Sequence, residues 1–265
     1  MQEPEFVKNP LKTILKALDS FFNDDTTYYA ASLSFFTIFS LLPILTLIIA
    51  ILSSIELFHN YLDIFISYIF EILNPTHSKA FVNAFEDYIS NSNKLGSLGF
   101  FYMLFVFIMF FKDYEYIVNK IHDAKRKPLL QSFFFYLIFL IALPLLLAIM
   151  NIALSFYDNT IFNTILTFAF AWFIFFVLFK LSVNKIVYVK PAAISSLITL
   201  VVLSITKNLF IYYVVYNKTY TTIYGSLAIL LFSFFWIYIS WIIYLYGIKM
   251  CHNLNLQEEK KREAL

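Results

Sequence analysis

The chain has 265 residues, of which 61% are hydrophobic and 14% are charged, and its formal net charge is +2. A soluble domain is usually about 45–50% apolar and about 25% charged. The excess apolar surface requires lipid as its solvent, which excludes a soluble globular domain. The single cysteine, Cys251, excludes an internal disulfide.

Residues 1–29 are predicted to form a cytoplasmic arm. Within it, Asn9 to Phe22 predict an amphipathic helix with leucine, isoleucine and phenylalanine side chains on one broad face. Such a helix usually rests in the membrane interface. No compact apolar segment followed by a small-residue cleavage site occurs here, so we expect the first span to act as an uncleaved insertion signal.

Six apolar segments then predict an all-α, polytopic transmembrane domain over residues 30–250. A bilayer core of about 30 Å needs roughly 20 apolar residues of helix, and a backbone without water must satisfy its hydrogen bonds internally. The predicted spans are Ala30 to Ser53, Leu95 to Phe111, Ser132 to Leu154, Ile161 to Ser182, Pro191 to Tyr216 and Tyr224 to Lys249. Residues 54–94 predict a cap of short amphipathic helices on the outside, and residues 251–265 a charged cytoplasmic tail.

The basic residues of the connecting segments indicate the orientation of these spans. Lysine and arginine are enriched in the arm, the second-to-third loop, the fourth-to-fifth loop and the tail, and they are sparse in the intervening loops. Positive charge is retained on the cytoplasmic side. We therefore expect both termini in the cytoplasm.

Lys207 is an ionisable residue inside the predicted fifth span, and Asn208 follows it. An ionisable residue within a span is a candidate functional site, because its burial is expensive. Alternatively, the long stem of Lys207 lets its ammonium reach the interface by snorkelling. Both interpretations stay open.

The first span carries Ser34, Thr37 and Ser40 at three-residue steps, followed by Pro43. These hydroxyls share one broad helix face and could line a polar path, with Pro43 freeing a backbone carbonyl. The alternative is that small hydroxyls pack helices and bond across them, while the proline only bends the helix.

Small residues recur at every seventh position of the sixth span. This spacing keeps them on one seam of a left-handed helix pair, which favours a helix-packing face over a binding site. The seam consists of Ser226, Ser233, Ser240 and Gly247.

Signatures of enzymes are sparse. The histidines show no metal-binding spacing, and four glycines give no phosphate-binding loop or dinucleotide fingerprint. We therefore expect no catalytic residue, no metal and no cofactor. The run Lys125-Arg126-Lys127 could meet RNA or lipid phosphate, but as an orientation signal it needs no ligand.

Several of these segments match a known family. The first span, AASLSFFTIFSLLP from Ala30 to Pro43, resembles the opening helix of the YihY/BrkB family, as does Asn119 after the second span. The fifth span's KNLFIYY, Lys207 to Tyr213, matches a K-x-L-F-x-x-Y pattern, and Tyr224 to Gly247 matches the last helix.

This resemblance covers about Leu11 to Leu254, with one departure. The family often has an acidic residue two places after its final glycine, whereas this chain has Lys249 there. A function that depends on that carboxylate therefore does not carry over to this chain. Through the matched K-x-L-F-x-x-Y pattern, Tyr213 joins Lys207, Asn208 and the first-span hydroxyls as a substrate-lining candidate.

The resemblance implies a bacterial inner-membrane protein. Links of some relatives to lipopolysaccharide or lipid handling imply transport or flipping of a lipid or envelope component. Membrane lipids are then the expected partners, with an anionic or lipopolysaccharide-related lipid as the ligand and no nucleic acid. One alternative is a structural or assembly partner without transport activity. Another is a membrane-bound ribonuclease, since family members have been labelled ribonuclease BN, but the residues offer no His/Asp metal cluster for it.

Overall fold

A computed structural model of the protein describes residues 25–53, 66–67, 82–83, 86–87, 96–155, 159–216 and 227–264. No strand occurs in these ranges, so the all-α prediction is confirmed for them. The long helices are α1 (Asp25–Ser53), α2 (Gly96–Ile121), α3 (Leu129–Ser155), α4 (Thr160–Leu181), α5 (Val189–Tyr216) and α6 (Leu227–Glu263).

Within these ranges, four helices are long and apolar enough to cross a membrane. They are α3 to α6, with candidate spans at Leu130–Leu147, Thr160–Leu181, Val189–Val214 and Leu231–Glu263. The count of six spans stays a prediction. The predicted amphipathic helix Asn9 to Phe22 lies outside the described residues, as does most of the cap at residues 54–94.

Several helices extend beyond the apolar segments that predicted them. α2 continues past Phe111 to Ile121, and α6 continues past Lys249 to Glu263. The extension of α2 still has a buried face, because Ile117 and Val118 are almost completely covered. Packing therefore prolongs the helix where composition alone suggested a loop.

α6 is the central helix of the bundle and packs against α1, α2 and α5. Short connections at residues 122–128 and 182–188 make α2 antiparallel to α3 and α4 antiparallel to α5. The Asn184 N–H bonds to Asn119 of α2, and the Tyr188 N–H bonds to Asn255 of α6. The ends of α2, α4 and α6 therefore lie together with the beginnings of α3 and α5. We call this region the basic end and define it as residues 112–128, 180–190 and 249–262.

Gly247 allows α5 and α6 to approach closely. A Cβ atom placed on Gly247 would overlap the Oγ1 atom of Thr199 and lie 3.0 Å from its Cβ atom. The Thr199 hydroxyl donates a 2.7 Å hydrogen bond to the Ser195 carbonyl, so its rotamer is fixed. Two helices can meet at this distance only where one of them lacks a side chain.

Replacing Gly247 with alanine should therefore lower the stability of the fold. We expect a loss of about 1–3 kcal/mol from overpacking, measured as a fall in the thermal unfolding temperature of the detergent-solubilised protein. The double variant Gly247→Ala/Thr199→Ala should recover part of that loss, because it removes the atom that clashes. An unchanged unfolding temperature in Gly247→Ala would contradict the close approach.

Candidate site at the basic end of the helix bundle

A buried carboxylate, Glu115, organises the basic end. Its side chain is 2% exposed. Oε1 accepts hydrogen bonds from Asn119 Nδ2 at 2.9 Å and from the Lys127 backbone N–H at 3.0 Å. Oε2 accepts one from Arg126 Nε at 3.0 Å. Each carboxylate oxygen thus has at least one donor, which is what a buried charge requires.

The chain returns to Glu115 because α2 ends in a Schellman turn. The Ala124 N–H bonds to the Asn119 carbonyl and the Asp123 N–H to the Lys120 carbonyl. This pattern places Asp123 in the left-handed region, at φ 50°, where aspartate is among the better-tolerated residues after glycine. The reversal brings Arg126 and Lys127 back alongside the last turns of α2.

Two asparagines bind the α4–α5 connection and join it to the Glu115 network. Asn119 is fully buried, and its Oδ1 atom accepts a 2.7 Å hydrogen bond from the Asn184 N–H in the α4–α5 connection. Asn255 on α6 accepts from the Tyr188 N–H at 2.8 Å and donates to the Ile186 carbonyl at 3.1 Å. The α4–α5 connection is therefore held from both sides by side-chain amides.

A histidine pair lies beside this network. The His122 and His252 rings meet edge to face with centroids 5.2 Å apart. His122 Nδ1 lies 3.2 Å from the Val118 carbonyl. Burial lowers the pKa of His122 to about 4, with the Val118 carbonyl opposing this shift and the nearby His252 adding to it. His122 is therefore neutral at pH 7.

An aromatic cluster lies between the network and the middle of the bundle. The Tyr114 hydroxyl shares a 2.6 Å hydrogen bond with the Tyr244 hydroxyl and a 3.2 Å one with the Ser182 hydroxyl. Trp241 packs against both tyrosine rings. Its Nε1 atom donates a 2.8 Å hydrogen bond to Thr37 Oγ1 on α1. This cluster connects α1, α2, α4 and α6.

A pocket of about 250 Å³ opens at the basic end between α2 and α3. Its two sides differ in chemistry. The polar side consists of Lys112, Glu115, Arg126, Lys127 and Ser132, and the apolar side of Phe107, Ile108, Phe111, Phe133 and Tyr136. The pocket is thus amphipathic, with three cations and one carboxylate on its polar side. We call the aromatic rings of the apolar side the aromatic floor.

The first-span candidates mostly bond within their own helix. Ser34 Oγ donates to the Ala30 carbonyl at 2.5 Å, and Thr37 Oγ1 donates to the Leu33 carbonyl at 2.7 Å. Ser40 is 1% exposed, with Oγ 3.4 Å from the Thr37 carbonyl. Pro43 is buried inside α1. None of these residues lines the pocket.

The fifth-span candidates lie on a different helix, α5, and none of them lines the pocket either. Lys207 is half-buried. Asn208 is exposed, and its Nδ2 atom donates to the Ser204 carbonyl at 3.0 Å. Tyr213 is 43% exposed, and its ring meets Phe232 of α6 edge to face.

The residues of the predicted seam lie along α6, except Ser226, which lies outside the described residues. Ser233 is buried, Ser240 donates to the Trp236 carbonyl at 2.8 Å, and Gly247 meets Thr199. The Lys249 ammonium lies 5.9 Å from the centroid of the Tyr246 ring. In the described ranges, no three His, Cys, Asp or Glu side chains are grouped to hold a metal ion.

Comparison with known proteins identifies the family of this chain. The model of the family described as virulence factor BrkB matches residues 17–264. The chain belongs to this family. The family resemblance inferred from the spans and from Asn119 is therefore confirmed.

Curated relatives of this BrkB-family protein are named UPF0761 membrane proteins. The one from Aggregatibacter aphrophilus is 28% identical over 84% of this chain and 85% of its own length. The one from Haemophilus influenzae is 26% identical over 85% and 88%, and the one from Vibrio campbellii 29% over 89% and 80%. No solved structure matches the chain.

Glu115 is the functional candidate that sequence reasoning missed. The predicted second span ends at Phe111, so the sequence places Glu115 in a loop and does not single it out. The signal was present, since Glu115 and Asn119 are four residues apart and lie on one helix face. Its partner Arg126 lies across the turn, where no helical periodicity points to it.

Removing the charge of Glu115 should destabilise the basic end. Glu115→Gln keeps the size of the side chain but replaces one acceptor oxygen with an amide that opposes either Arg126 or the Lys127 N–H. We expect a loss of about 1–3 kcal/mol, measured by thermal unfolding. Glu258→Gln is the matched control, because the Glu258 carboxylate is partly exposed and pairs with Arg262 of the same helix. This variant should lose less than about 0.5 kcal/mol.

The stability of the fold should fall on mild acidification because of His122. Its pKa of about 4 in the folded protein lies below the unfolded value of about 6.5. The unfolded state therefore binds more protons between these values, and the free energy of unfolding falls as pH drops. We expect a loss of about 2 kcal/mol from pH 7 to pH 5, reduced in His122→Gln, which cannot titrate. An equal loss in both proteins would contradict this assignment.

Proposed function

We propose that this BrkB-family protein transports or flips a lipid or another envelope component across the bacterial inner membrane. The basic end then faces the cytoplasm, together with both termini. The concentration of lysine and arginine in residues 112–128, 180–190 and 249–262 supports this orientation, since basic segments are retained on the cytoplasmic side.

The observation that carries the proposal is the amphipathic pocket between α2 and α3. A lipid has a charged headgroup joined to an apolar chain, and the pocket offers both environments side by side. Arg126 and Lys112 line its polar side, and Phe107, Phe111 and Phe133 its apolar side. Its volume of about 250 Å³ is below the roughly 300–1,000 Å³ of sites for drug-sized molecules. It therefore suits a headgroup and its first methylenes.

The surroundings of the pocket favour entry from the membrane. α3 presents Phe134 and Ile138, which are 56% and 65% exposed, on its outer surface. In a bilayer these side chains face lipid tails. A lipid could thus slide along α3 with its chains in the membrane and its headgroup at the basic end, where positive charge attracts anionic lipids.

Transport is tested by reconstituting the protein into vesicles that carry NBD-labelled phosphatidic acid, phosphatidylglycerol or phosphatidylethanolamine. Dithionite then bleaches only the label in the outer leaflet. We expect movement between leaflets to exceed that of protein-free vesicles at least several-fold. The pocket-filling variants Ser132→Phe and Ile108→Phe should lower the rate, because they occupy the space for the headgroup.

The control is Ile165→Phe, which adds the same side chain to the exposed surface of α4, where Ile165 is 63% exposed. Its rate should match that of the unmodified protein. Rates equal to those of protein-free vesicles would reject transport of these lipids and favour the assembly-partner alternative. Unchanged rates in both pocket-filling variants would reject the pocket as part of the route.

A further inference from the structure

The pocket contains a buried hydroxyl that has no partner in the described part of the chain. Ser132 is 8% exposed and lines the pocket, and its Oγ atom makes no hydrogen bond there. A buried polar group without a partner costs about 1–3 kcal/mol. The Oγ atom is itself covered, so a ligand oxygen in the pocket can bond to it only after the Ser132 side chain rotates towards the pocket that the residue lines.

The beginning of α3 adds positive potential at the same place. Ser132 lies in the first turn of α3, and its N–H bonds back to the Pro128 carbonyl. This first turn contains no acidic residue, so nothing in it offsets the positive end of the helix dipole. An anion is favoured at such a position.

The cations around Ser132 are held in place by contacts inside the protein. Arg126 Nε bonds to Glu115, and Arg126 Nη2 donates to the Lys112 carbonyl at 3.1 Å. Lys127 Nζ donates to the Leu181 carbonyl at 2.9 Å and lies 5.0 Å from the centroid of the Phe135 ring. These bonds use only some of the N–H groups of the two side chains, so the others remain available to a ligand.

Lys112 differs from the other two cations. It is exposed and lines the pocket, and within the described residues its ammonium has no acceptor. Three cations against the single carboxylate of Glu115 leave the lining positive by two charges. A phosphomonoester carries about −1.5 to −2 charges at pH 7, whereas a phosphodiester carries about −1. The charge of the pocket therefore matches the monoester.

We infer that the pocket binds the phosphomonoester headgroup of a lipid. The Ser132 hydroxyl donates to one phosphate oxygen, and Lys112 and Arg126 neutralise the others. The first methylenes of the chain lie against Phe107, Phe111 and Phe133. Glu115 fixes Arg126. This inference names the ligand class of the pocket in the proposed function and rests on that function for its membrane setting.

The test is binding of defined lipids to the full chain in mild detergent, measured by native mass spectrometry at pH 8. Phosphatidic acid is the phosphomonoester probe, and phosphatidylglycerol with the same acyl chains is the phosphodiester probe. We expect phosphatidic acid to bind at least about tenfold more tightly, as an additional charge-assisted contact would give. Equal affinity for the two lipids would overturn the inference.

Two variants locate the binding. Lys112→Gln and Ser132→Ala should each weaken phosphatidic acid binding by about five- to tenfold and leave phosphatidylglycerol binding nearly unchanged. Lys120→Gln is the matched control, since Lys120 is an exposed lysine of α2 that does not line the pocket. A loss in Lys120→Gln as large as in Lys112→Gln would overturn the site. Lys112 is exposed, so its variant keeps the test valid even if Ser132→Ala fails to fold.

Inorganic phosphate and glycerol 3-phosphate distinguish a lipid from a free phosphate. Neither should displace phosphatidic acid at equal concentration, because neither has a chain to cover the aromatic floor. Displacement by either one would overturn the lipid part of the inference. Preferential binding of phosphatidic acid without movement between leaflets would reject transport but keep this ligand assignment. Movement of lipid between leaflets without a preference for phosphatidic acid would support transport and reject this ligand assignment.

Discussion

The architecture of the basic end depends on burying the Glu115 carboxylate with its charge satisfied. Removing one partner of a buried ion pair lowers the stability of a fold, because the remaining charge is neither paired nor hydrated. Asn119, Arg126 and the Lys127 N–H supply the donors here, from the same helix and from the turn that follows it. The path of the chain from α2 into α3 is fixed by this requirement.

Two asparagines extend the hydrogen-bond network of Glu115 to the α4–α5 connection and to α6. The Asn119 Nδ2 atom donates to the Glu115 carboxylate, and its Oδ1 atom accepts from the Asn184 N–H. Asn255 binds the backbone at Ile186 and Tyr188 from the opposite side, on α6. Val183 and Val187 pack this connection into the hydrophobic core, and the side-chain amides add the directional bonds that hold its backbone.

The same network holds two of the cations that line the pocket. Glu115 and the Lys112 carbonyl hold the guanidinium of Arg126, and the Leu181 carbonyl holds the ammonium of Lys127. Because these side chains are already fixed, a bound anion would cost little additional conformational entropy. The aromatic floor lies next to the hydrogen-bonded tyrosines, so the pocket and the core of the bundle share a wall at Tyr136.

The sequence by itself determined that the chain is helical, that it belongs in a membrane and that its basic segments gather at one end. Those properties follow from long apolar runs and from the positions of lysine and arginine, which are local features. Only the tertiary structure decided which faces meet. The spanning helices are apolar on every side, so hydrophobic periodicity gives no indication of their neighbours. Asn119 and Asn184 are 65 positions apart, and Thr37 and Trp241 are 204 apart. Contacts at such separations leave no periodic signal in the chain, so the pocket between α2 and α3 emerges only when the helices pack.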